Sequence, residues 1–238
     1  MNRNKASFAG GPSAPGELNI DSYLPDGLSL FTEDGALWLT DGNLRFCADL
    51  TSMIPRIKRG VIGTELVVRA ARLKDMSGSP TLIDAAAGLG NDGLLLAAAG
   101  FKVTLCEYNP VIAALLENSL KRAADVPELA AAVSNITVRT GDSIPFMRET
   151  ENRPDVIYLD PMFPESGKNA LIKKKFQLLR QLELPCSNEE ELLTAALSAN
   201  PHKIVIKRPV KGPYLAGRKP AYSITGKAVR YDCLIVSC

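Results

Sequence analysis

Two apolar segments of this sequence each end in a short turn whose residues restrict what the chain can fold into. The first, residues 82–87, runs into the glycine-rich stretch 88–93, and the second, residues 156–159, runs directly into Asp160 and Pro161. A buried strand followed by a glycine turn that opens a helix is typical of parallel α/β sheets, which bind ligands at the carboxyl ends of their strands. We therefore predict that both turns lie at the same edge of one sheet.

Strand and helix patterns alternate along the rest of the chain. From residue 81 onward the apolar pattern predicts strands at 81–87, 102–107, 136–141, 155–160, 203–207 and 232–236. Between them it predicts helices at 91–99, 110–124, 143–150, 169–183 and 189–199. This alternation predicts an α/β fold with a doubly wound, mostly parallel sheet. Continuously apolar strands such as 156–159 fit a sheet that helices cover on both faces.

The N-terminal part of the chain has a different pattern. Residues 1–27 are rich in glycine and proline and predict a loosely structured lead-in. Aspartate–glycine turns separate the short apolar segments that follow, which favours tight antiparallel hairpins. These segments are residues 28–31, 36–40 and 44–46. We predict a lead-in and small β-rich subdomain over residues 1–62 and a main domain over residues 63–238 that opens with an amphipathic helix at 63–74.

Composition narrows the class of protein. The chain has 238 residues, of which 46% are hydrophobic, enough to build a substantial core. No apolar run approaches the roughly 18 residues that cross a bilayer, and the N-terminus lacks a signal-peptide core, so we expect a cytoplasmic protein without a membrane partner. The five cysteines are widely spaced and no histidine cluster accompanies them. We therefore expect reduced thiols and no metal site.

Charge is distributed unevenly along the chain. Residues 1–165 contain 15 Lys+Arg and 21 Asp+Glu, a net charge of −6, whereas residues 166–238 contain 13 and 5, a net charge of +8. A local basic surface attracts polyanions even though the whole chain carries only +2. The C-terminal third therefore favours a nucleic-acid partner, with solvated helix faces as the alternative. The candidate RNA contacts are Lys168, Lys173, Lys174, Lys207 and Arg208.

The glycine turn predicts a cofactor site. Residues 88–93 match the pattern Gly-x-Gly-x-x-Gly, and Glu107, at the end of the next predicted strand, is placed to hold a ribose diol as in dinucleotide-binding folds. Asp84 and Asp92 flank the turn, whereas a pyrophosphate needs backbone donors and few competing anions. Carboxylates suit a cationic cofactor better, and S-adenosylmethionine carries an ammonium and a sulfonium. The alternative is that the two aspartates only cap the helix.

The second turn predicts a site for an amine. Residues 160–164, Asp-Pro-Met-Phe-Pro, follow a strand at the edge where open α/β sheets place their ligands. The Asp160 carboxylate and the Pro161 carbonyl can accept hydrogen bonds from an exocyclic NH2 group, and Phe163 can stack on an unpaired base. The alternative is an ordinary turn with a core phenylalanine. Asp160, Pro161 and Phe163 are the candidate catalytic residues.

Four blocks of sequence carry a resemblance to a known family. They are Asp-Ala-Ala-Ala-Gly-Leu-Gly-Asn-Asp from residue 84, Glu-Tyr-Asn-Pro from 107, Leu-Asp-Pro-Met-Phe-Pro from 159 and Val-Ile-Lys-Arg-Pro from 205. Over roughly residues 40–238 the chain resembles the bacterial small-subunit ribosomal RNA methyltransferase J family, which methylates N2 of guanine 1516 in 16S rRNA. The resemblance implies a class I, Rossmann-like S-adenosylmethionine-dependent methyltransferase fold. It also implies the small ribosomal subunit or its RNA as the partner.

The resemblance further implies roles for individual residues. Glu107 and Asp142 would accept hydrogen bonds from the ribose hydroxyls and the adenine amine, and Tyr108 would lie against the adenine ring. The cofactor positions predicted from the motifs are Asp84, Gly88, Gly90, Asn91, Asp92, Glu107, Tyr108, Asp142, Ser143 and Asp160. Three alternatives stay open: an adenine-N6 nucleic-acid methyltransferase, a nicotinamide-dependent oxidoreductase, and a noncatalytic RNA-binding module on the same scaffold.

Overall fold

A small three-stranded sheet precedes a larger seven-stranded sheet in the chain. The computed structural model describes residues 20–74, 78–161, 176–182 and 188–236. A 3-10 turn at Ile20–Tyr23 leads into the strands of the small sheet, β1 (Ser29–Glu33), β2 (Ala36–Thr40) and β3 (Arg45–Phe46). These strands pair antiparallel in chain order, as the hairpin pattern predicted.

Local turn chemistry explains the two hairpins of the small sheet. Asp34 and Gly35 both take positive φ angles, 51° and 75°, which match the two-residue turn that right-twisted strands favour. In the second turn the Asp41 carboxylate accepts the backbone N–H groups of Asn43 and Leu44 at 2.8 and 2.7 Å. Both turns are therefore closed by residues within the turns themselves.

A connecting segment joins the small sheet to the large one. It contains 3-10 turns at Thr51–Met53 and Ile62–Thr64 and two short helices, α1 (Ile54–Ile57) and α2 (Leu66–Ala71). Helix α2 is shorter than the predicted helix at 63–74, because Glu65 and Arg72 take extended ψ angles of 129° and 130° at its ends. The buried ammonium of Lys203 donates hydrogen bonds to the carbonyls of Ala70 and Arg72 and so satisfies the C-terminal end of α2.

The large sheet has the strand order β6-β5-β4-β7-β8-β10-β9. Its strands are β4 (Thr81–Asp84), β5 (Lys102–Glu107), β6 (Ile136–Thr140), β7 (Val156–Leu159), β8 (Lys203–Pro209), β9 (Tyr222–Thr225) and β10 (Val229–Ile235). The first five strands in the order are parallel, and β10 runs antiparallel to both of its neighbours. The predicted α/β class with a mostly parallel sheet is confirmed.

Helices cover both faces of this sheet. They are α3 (Asn91–Ala98), α4 (Pro110–Ala124), α5 (Pro127–Val133), α6 (Ser143–Glu149), α7 (Phe176–Arg180) and α8 (Glu189–Ser198), with a 3-10 turn at Leu215–Gly217. Helices α2, α3 and α5 pack on one face, and α6 and α8 pack on the other. The sequence pattern missed α5 and β9, and the larger part of the predicted helix at 169–183 lies outside the described residues.

The small sheet is fixed to the large unit through α4. Strand β2 buries Leu37 and Leu39 against Val111 and Leu115 of α4. The Asn118 side chain, also on α4, accepts from the Leu37 N–H at 2.9 Å and donates to a turn carbonyl of the hairpin at 3.0 Å. The two sheets therefore share buried contacts, and the boundary at residue 62 stays a prediction.

Close packing at the start of α3 requires glycine. A Cβ at Gly93 would lie 2.3 Å from Cδ2 of Leu105, and one at Gly90 would lie 2.6 Å from Cδ1 of Leu116. Gly90 also has a φ of +75°, a conformation that residues with a side chain rarely adopt. The start of α3 thus sits directly against β5 and α4, which fixes where its first side chains point.

We expect Gly90→Ala to lower the free energy of unfolding by about 2–4 kcal/mol, because left-handed backbone strain adds to overpacking of a buried leucine. Gly100→Ala is the matched control, since Gly100 has a φ of +100° with no atom within 4 Å of the added Cβ. In the control the free energy of unfolding should fall only by the cost of backbone strain, about 1–2 kcal/mol. Chemical denaturation of both variants measures the difference, and equal losses would contradict the close packing.

Candidate active site

The strand order reverses between β4 and β7. Strands β5 and β6 lie on the far side of β4, whereas β8, β10 and β9 lie on the far side of β7. In open α/β sheets the ligand crevice forms outside the carboxyl ends of the strands at such a reversal. Acidic residues stand at or just after the carboxyl ends of four parallel strands: Asp84, Glu107, Asp142 and Asp160. The structure therefore brings both predicted turns to one edge of the sheet.

Glu107 ties the glycine turn to the turn after β5. One oxygen of its carboxylate accepts the Gly88 N–H and the other accepts the Asn109 N–H, both at 2.8 Å. The residue is 8% exposed. Gly88 has a φ of +54°, and the position of its missing Cβ is open to 4 Å, so a ligand can approach the backbone there. Two backbone N–H groups therefore fix the orientation of the Glu107 carboxylate beside the glycine turn.

Asp84 lies beneath the glycine turn. Its side chain is 1% exposed and accepts the Ala86 N–H at 3.3 Å. Burial raises the pKa of Asp84 well above the usual aspartate value, and the nearby charges of Asp92 and Asp160 raise it further. The buried side chain supports the turn from below, and the direct cofactor contact of Asp84 stays a prediction.

A lysine links the two predicted sites. Nζ of Lys207, at the end of β8, donates to the carboxylates of Asp92 at 2.9 Å and Asp160 at 2.8 Å. The phenol of Tyr158, on β7, donates to the same Asp92 oxygen at 2.7 Å. This network joins the start of α3 to the carboxyl ends of β7 and β8.

Strand register explains why Lys207 reaches both acids. Leu159 of β7 pairs with Ile206 of β8 in parallel, so the next residue on each strand, Asp160 and Lys207, are neighbours at the sheet edge. The phosphate contact of Lys207 stays a prediction, and in this structure two carboxylates hold its ammonium while the side chain is 26% exposed. The sequence contained a signal for this ion pair, because Asp160 directly follows the strand that adjoins the strand of Lys207.

The charges of this network depend on one another. Burial disfavours the charged form of Lys207, but the carboxylates of Asp160 and Asp92 outweigh it and hold the pKa of the ammonium above the usual lysine value. Burial raises the pKa of Asp160, and the ammonium of Lys207 limits that rise. Burial also raises the pKa of Tyr158 well above its usual value, so its phenol stays protonated and donates.

Arg208 points away from the crevice. It is 1% exposed, and its guanidinium donates to the Pro213 carbonyl at 2.8 Å and to Glu189 at 3.2 Å. Neighbouring Arg230 donates to the carbonyls of Pro209, Val210 and Gly212. The prediction that Arg208 contacts RNA is wrong, because this buried arginine braces the loop that follows β8.

The remaining predicted site residues occupy different environments. Tyr108 is 61% exposed beside Glu107, as a ring that receives a flat ligand would be. Asn91 is exposed at the start of α3, beside a cleft of about 160 Å³ that residues 46–50 also line. Asp142 caps α6 by accepting the Ile144 N–H at 2.9 Å, and Ser143 is buried behind it. Phe163, Lys168, Lys173 and Lys174 lie outside the described residues.

Neither a metal-binding cluster nor a membrane-spanning helix is present in the part of the chain that the structure describes. Over the described ranges, no group of three or more His, Cys, Asp or Glu side chains could hold a metal ion. Among the same residues, no helix has the length and apolar character to span a bilayer. Cys47, Cys106 and Cys233 are free thiols.

Comparison with known proteins identifies the family. A family model described as "Putative SAM-dependent methyltransferase" matches residues 40–236. The Ribosomal RNA small subunit methyltransferase J of Thioalkalivibrio sulfidiphilus is 42% identical over 174 residues, which cover 72% of this chain and 68% of that protein. The protein of the same name from Pseudomonas aeruginosa is 46% identical over 154 residues, which cover 64% of this chain and 59% of that protein. The match therefore spans less than two thirds of the Pseudomonas protein. This chain belongs to the methyltransferase J family.

A solved structure supports the same conclusion. The SAM-dependent methyltransferase of Neisseria gonorrhoeae matches with a TM-score of 0.71 and 29% identity over 94% of both chains. Family and fold together give S-adenosylmethionine as the cofactor and exclude the nicotinamide alternative. The site fits this cofactor, because carboxylates attract its cationic groups and the open face of Gly88 admits a ligand to the backbone.

Replacing Lys207 tests the electrostatics of the site. We expect Lys207→Met to raise the pKa of Asp160 above its value in the unaltered protein, because burial then acts on the carboxylate without the opposing ammonium. Lys207→Arg keeps the positive charge and should leave this pKa close to the original. Carboxyl-carbon NMR titration of the ligand-free protein measures it, and an unchanged Asp160 pKa in Lys207→Met would show that the ion pair is not formed.

Proposed function

We propose that this protein transfers the methyl group of S-adenosylmethionine to the exocyclic N2 of a guanine in 16S ribosomal RNA. The observation that carries the proposal is the position of Asp160 and Pro161 at the end of β7, beside the glycine turn between β4 and α3. The names of its relatives, Ribosomal RNA small subunit methyltransferase J, support the substrate. We expect the protein to act in the cytoplasm on this RNA or on the small subunit.

Asp160 is proposed to hold the amine that is methylated. Lys207 engages Oδ2 of the carboxylate, which leaves Oδ1 as the oxygen we assign to a guanine N2–H. The Pro161 carbonyl is the second proposed acceptor. Two acceptors on the N–H groups orient the nitrogen so that its lone pair faces the methyl donor, and such alignment supplies much of the acceleration in displacement reactions. Phe163 is proposed to stack on the guanine.

The turns after β4 and β5 are proposed to hold the methyl donor. When bound, S-adenosylmethionine supplies an activated methyl group on a sulfonium. Two backbone amides orient the Glu107 carboxylate, which can accept further hydrogen bonds from a ribose diol because a carboxylate has about four acceptor sites. Exposed Tyr108 is proposed to cover the adenine ring. Asp92, whose carboxylate Tyr158 and Lys207 hold in place, would supply a carboxylate toward the cationic groups of the bound cofactor.

Asp160 also has a role after the methyl group has moved. The methylated nitrogen carries an extra proton and a positive charge, and Asp160 or water accepts that proton. Burial raises the pKa of Asp160, which makes its carboxylate a better proton acceptor than an ordinary aspartate, and the adjacent Lys207 ammonium limits that rise. Lys207 is therefore a positioning residue, because it acts on the substrate through Asp160.

A direct assay tests the proposed function. Small subunits that lack the modification are incubated with the protein and labelled S-adenosylmethionine, and mass spectrometry identifies the labelled nucleoside. We expect N2-methylguanosine. If the label appears in N6-methyladenosine, or if no label appears although S-adenosylhomocysteine binds, the proposal is wrong.

We expect Asp160→Asn to lower the methylation rate by about 10- to 100-fold, because a hydrogen bond to a charged group contributes about 1.5–3 kcal/mol. Asp125→Asn is the control, since Asp125 is exposed at the end of α4 and the substitution makes the same change in charge. Both variants should bind S-adenosylhomocysteine by calorimetry. An Asp160→Asn enzyme of unaltered rate would remove Asp160 from the reaction.

A further inference from the structure

Three turns at the carboxyl edge of the sheet carry exposed basic side chains. Backbone hydrogen bonds close the turns, including Val61 N–H to Lys58 O at 2.9 Å, Gly212 N–H to Pro209 O at 2.9 Å, and Gly226 N–H to Val229 O at 2.8 Å. Their exposed basic residues are Lys58, Arg59, Lys211 and Lys227, which we call the basic rim. None of these turns belongs to the cofactor or amine sites described above.

The turns adjoin one another although they are distant in sequence. Pro209 ends β8 and pairs with Val229 at the start of β10, so the turns at 209–212 and 226–229 leave the sheet at the same edge. Their backbones are joined by a hydrogen bond from Val210 to Ala228 at 3.3 Å. The position of a Cβ at Gly226 would be 2.5 Å from Cδ1 of Leu66, which places the second turn against the start of α2.

The turn at 58–61 joins this group through Arg56. The Arg56 guanidinium donates to both oxygens of Glu65, at the start of α2, at 2.8 and 2.7 Å. Helix α1, which carries Arg56, packs on α3, whose first turn carries Asp92. Glu65 raises the pKa of Arg56 most, and the charge of Asp92 adds to the rise, so Arg56 lies within electrostatic range of the crevice. The basic rim therefore borders the crevice on the side of β8 and β10.

Charge in the segment that leads to the start of α2 is positive. Residues 51–65 contain three Lys+Arg and one acid, Glu65, a net charge of +2 inside the N-terminal 165 residues that carry −6 overall. Glu65 is already paired with Arg56, so it does not neutralise Lys58 or Arg59. The net charge of a long segment does not reveal this short basic one. The fold brings Lys58 and Arg59 to the same edge of the sheet as Lys211 and Lys227.

We propose that the basic rim binds the phosphates of the RNA strand that carries the target guanine. The inference rests on the proposed function and adds the surface that holds its substrate. An enzyme that modifies a base edge must take the nucleotide out of its stack, and phosphate contacts hold the strand while it does so. Lys207 and Arg208 do not serve this purpose, because carboxylates and carbonyls inside the fold engage them. The rim offers cations at the mouth of the crevice instead.

Two charge-reversal variants test the rim independently: Lys58→Glu with Lys227→Glu, and Arg59→Glu with Lys211→Glu. The matched control is Lys102→Glu with Lys121→Glu, which changes two exposed lysines at the start of β5 and in the last turn of α4. The probe is a 16S rRNA fragment containing the target guanine. Its dissociation constant is measured by fluorescence anisotropy over a series of salt concentrations.

We expect each rim variant to weaken RNA binding by about tenfold and to reduce the slope of log affinity against log salt by roughly 1.4–1.8, the loss of two phosphate contacts. The KM for RNA should rise, whereas kcat at saturating RNA and the affinity for S-adenosylhomocysteine should stay within about twofold of the unaltered protein, because the crevice is intact. The control variant should match the unaltered protein in all four measurements.

The outcomes separate the two proposals. If the rim variants have the same salt slope and RNA affinity as the control, the proposal that the rim binds RNA is wrong, even if the protein methylates guanine. An unaltered protein that binds the fragment through the rim without forming N2-methylguanosine would support the rim and overturn the proposed function. A failure of the unaltered protein to bind the fragment would overturn the rim as well.

Discussion

The contact of one ammonium with two carboxylates organises the candidate site. Lys207 joins Asp92 of the glycine turn to Asp160, which follows β7, with N–O distances of 2.9 and 2.8 Å. Without a cation between them, two partly buried carboxylates that converge on one point would repel each other. The ammonium of Lys207 offsets this repulsion, so both acids can lie at the same point of the crevice. It also couples the geometry of the two halves of the site.

That contact depends in turn on how closely α3 approaches the sheet. Gly90 and Gly93 allow the first turn of α3 to lie against Leu105 and Leu116, at distances that a methyl group would not tolerate. Asp92 lies between these glycines, so their packing sets its position. A glycine pattern usually interpreted through its ligand thus has a second role, because it also brings a carboxylate within reach of a lysine two strands away.

Periodicity and turn chemistry predicted the fold well because both are local properties. Helix α4 and strand β5 have the predicted bounds, since long apolar repeats and the Asn-Pro start of α4 specify them. Short elements such as α5 and β9 were missed because tertiary contacts stabilise them. Sequence also placed the carboxyl-edge acids correctly on their strands. It did not predict the partners of Lys207 and Arg208, because a partner depends on strand register and on which face a side chain takes.

Those two adjacent residues show how the strand separates functions by face. Successive side chains of a strand point to opposite faces, so Lys207 enters the crevice while Arg208 turns toward α8 and, with Arg230, holds the loop after β8 by its carbonyls. Bracing that loop fixes where Lys211 emerges, and Lys211 is the first basic residue of the chain after β8 that is exposed at this edge. Three basic residues within five positions therefore differ in environment: Lys207 holds the Asp160 carboxylate, Arg208 stiffens the loop after β8, and Lys211 is exposed. Composition counts these three residues as equal positive charges. A basic segment therefore indicates a polyanionic partner only when its buried lysines and arginines are left out of the charge count.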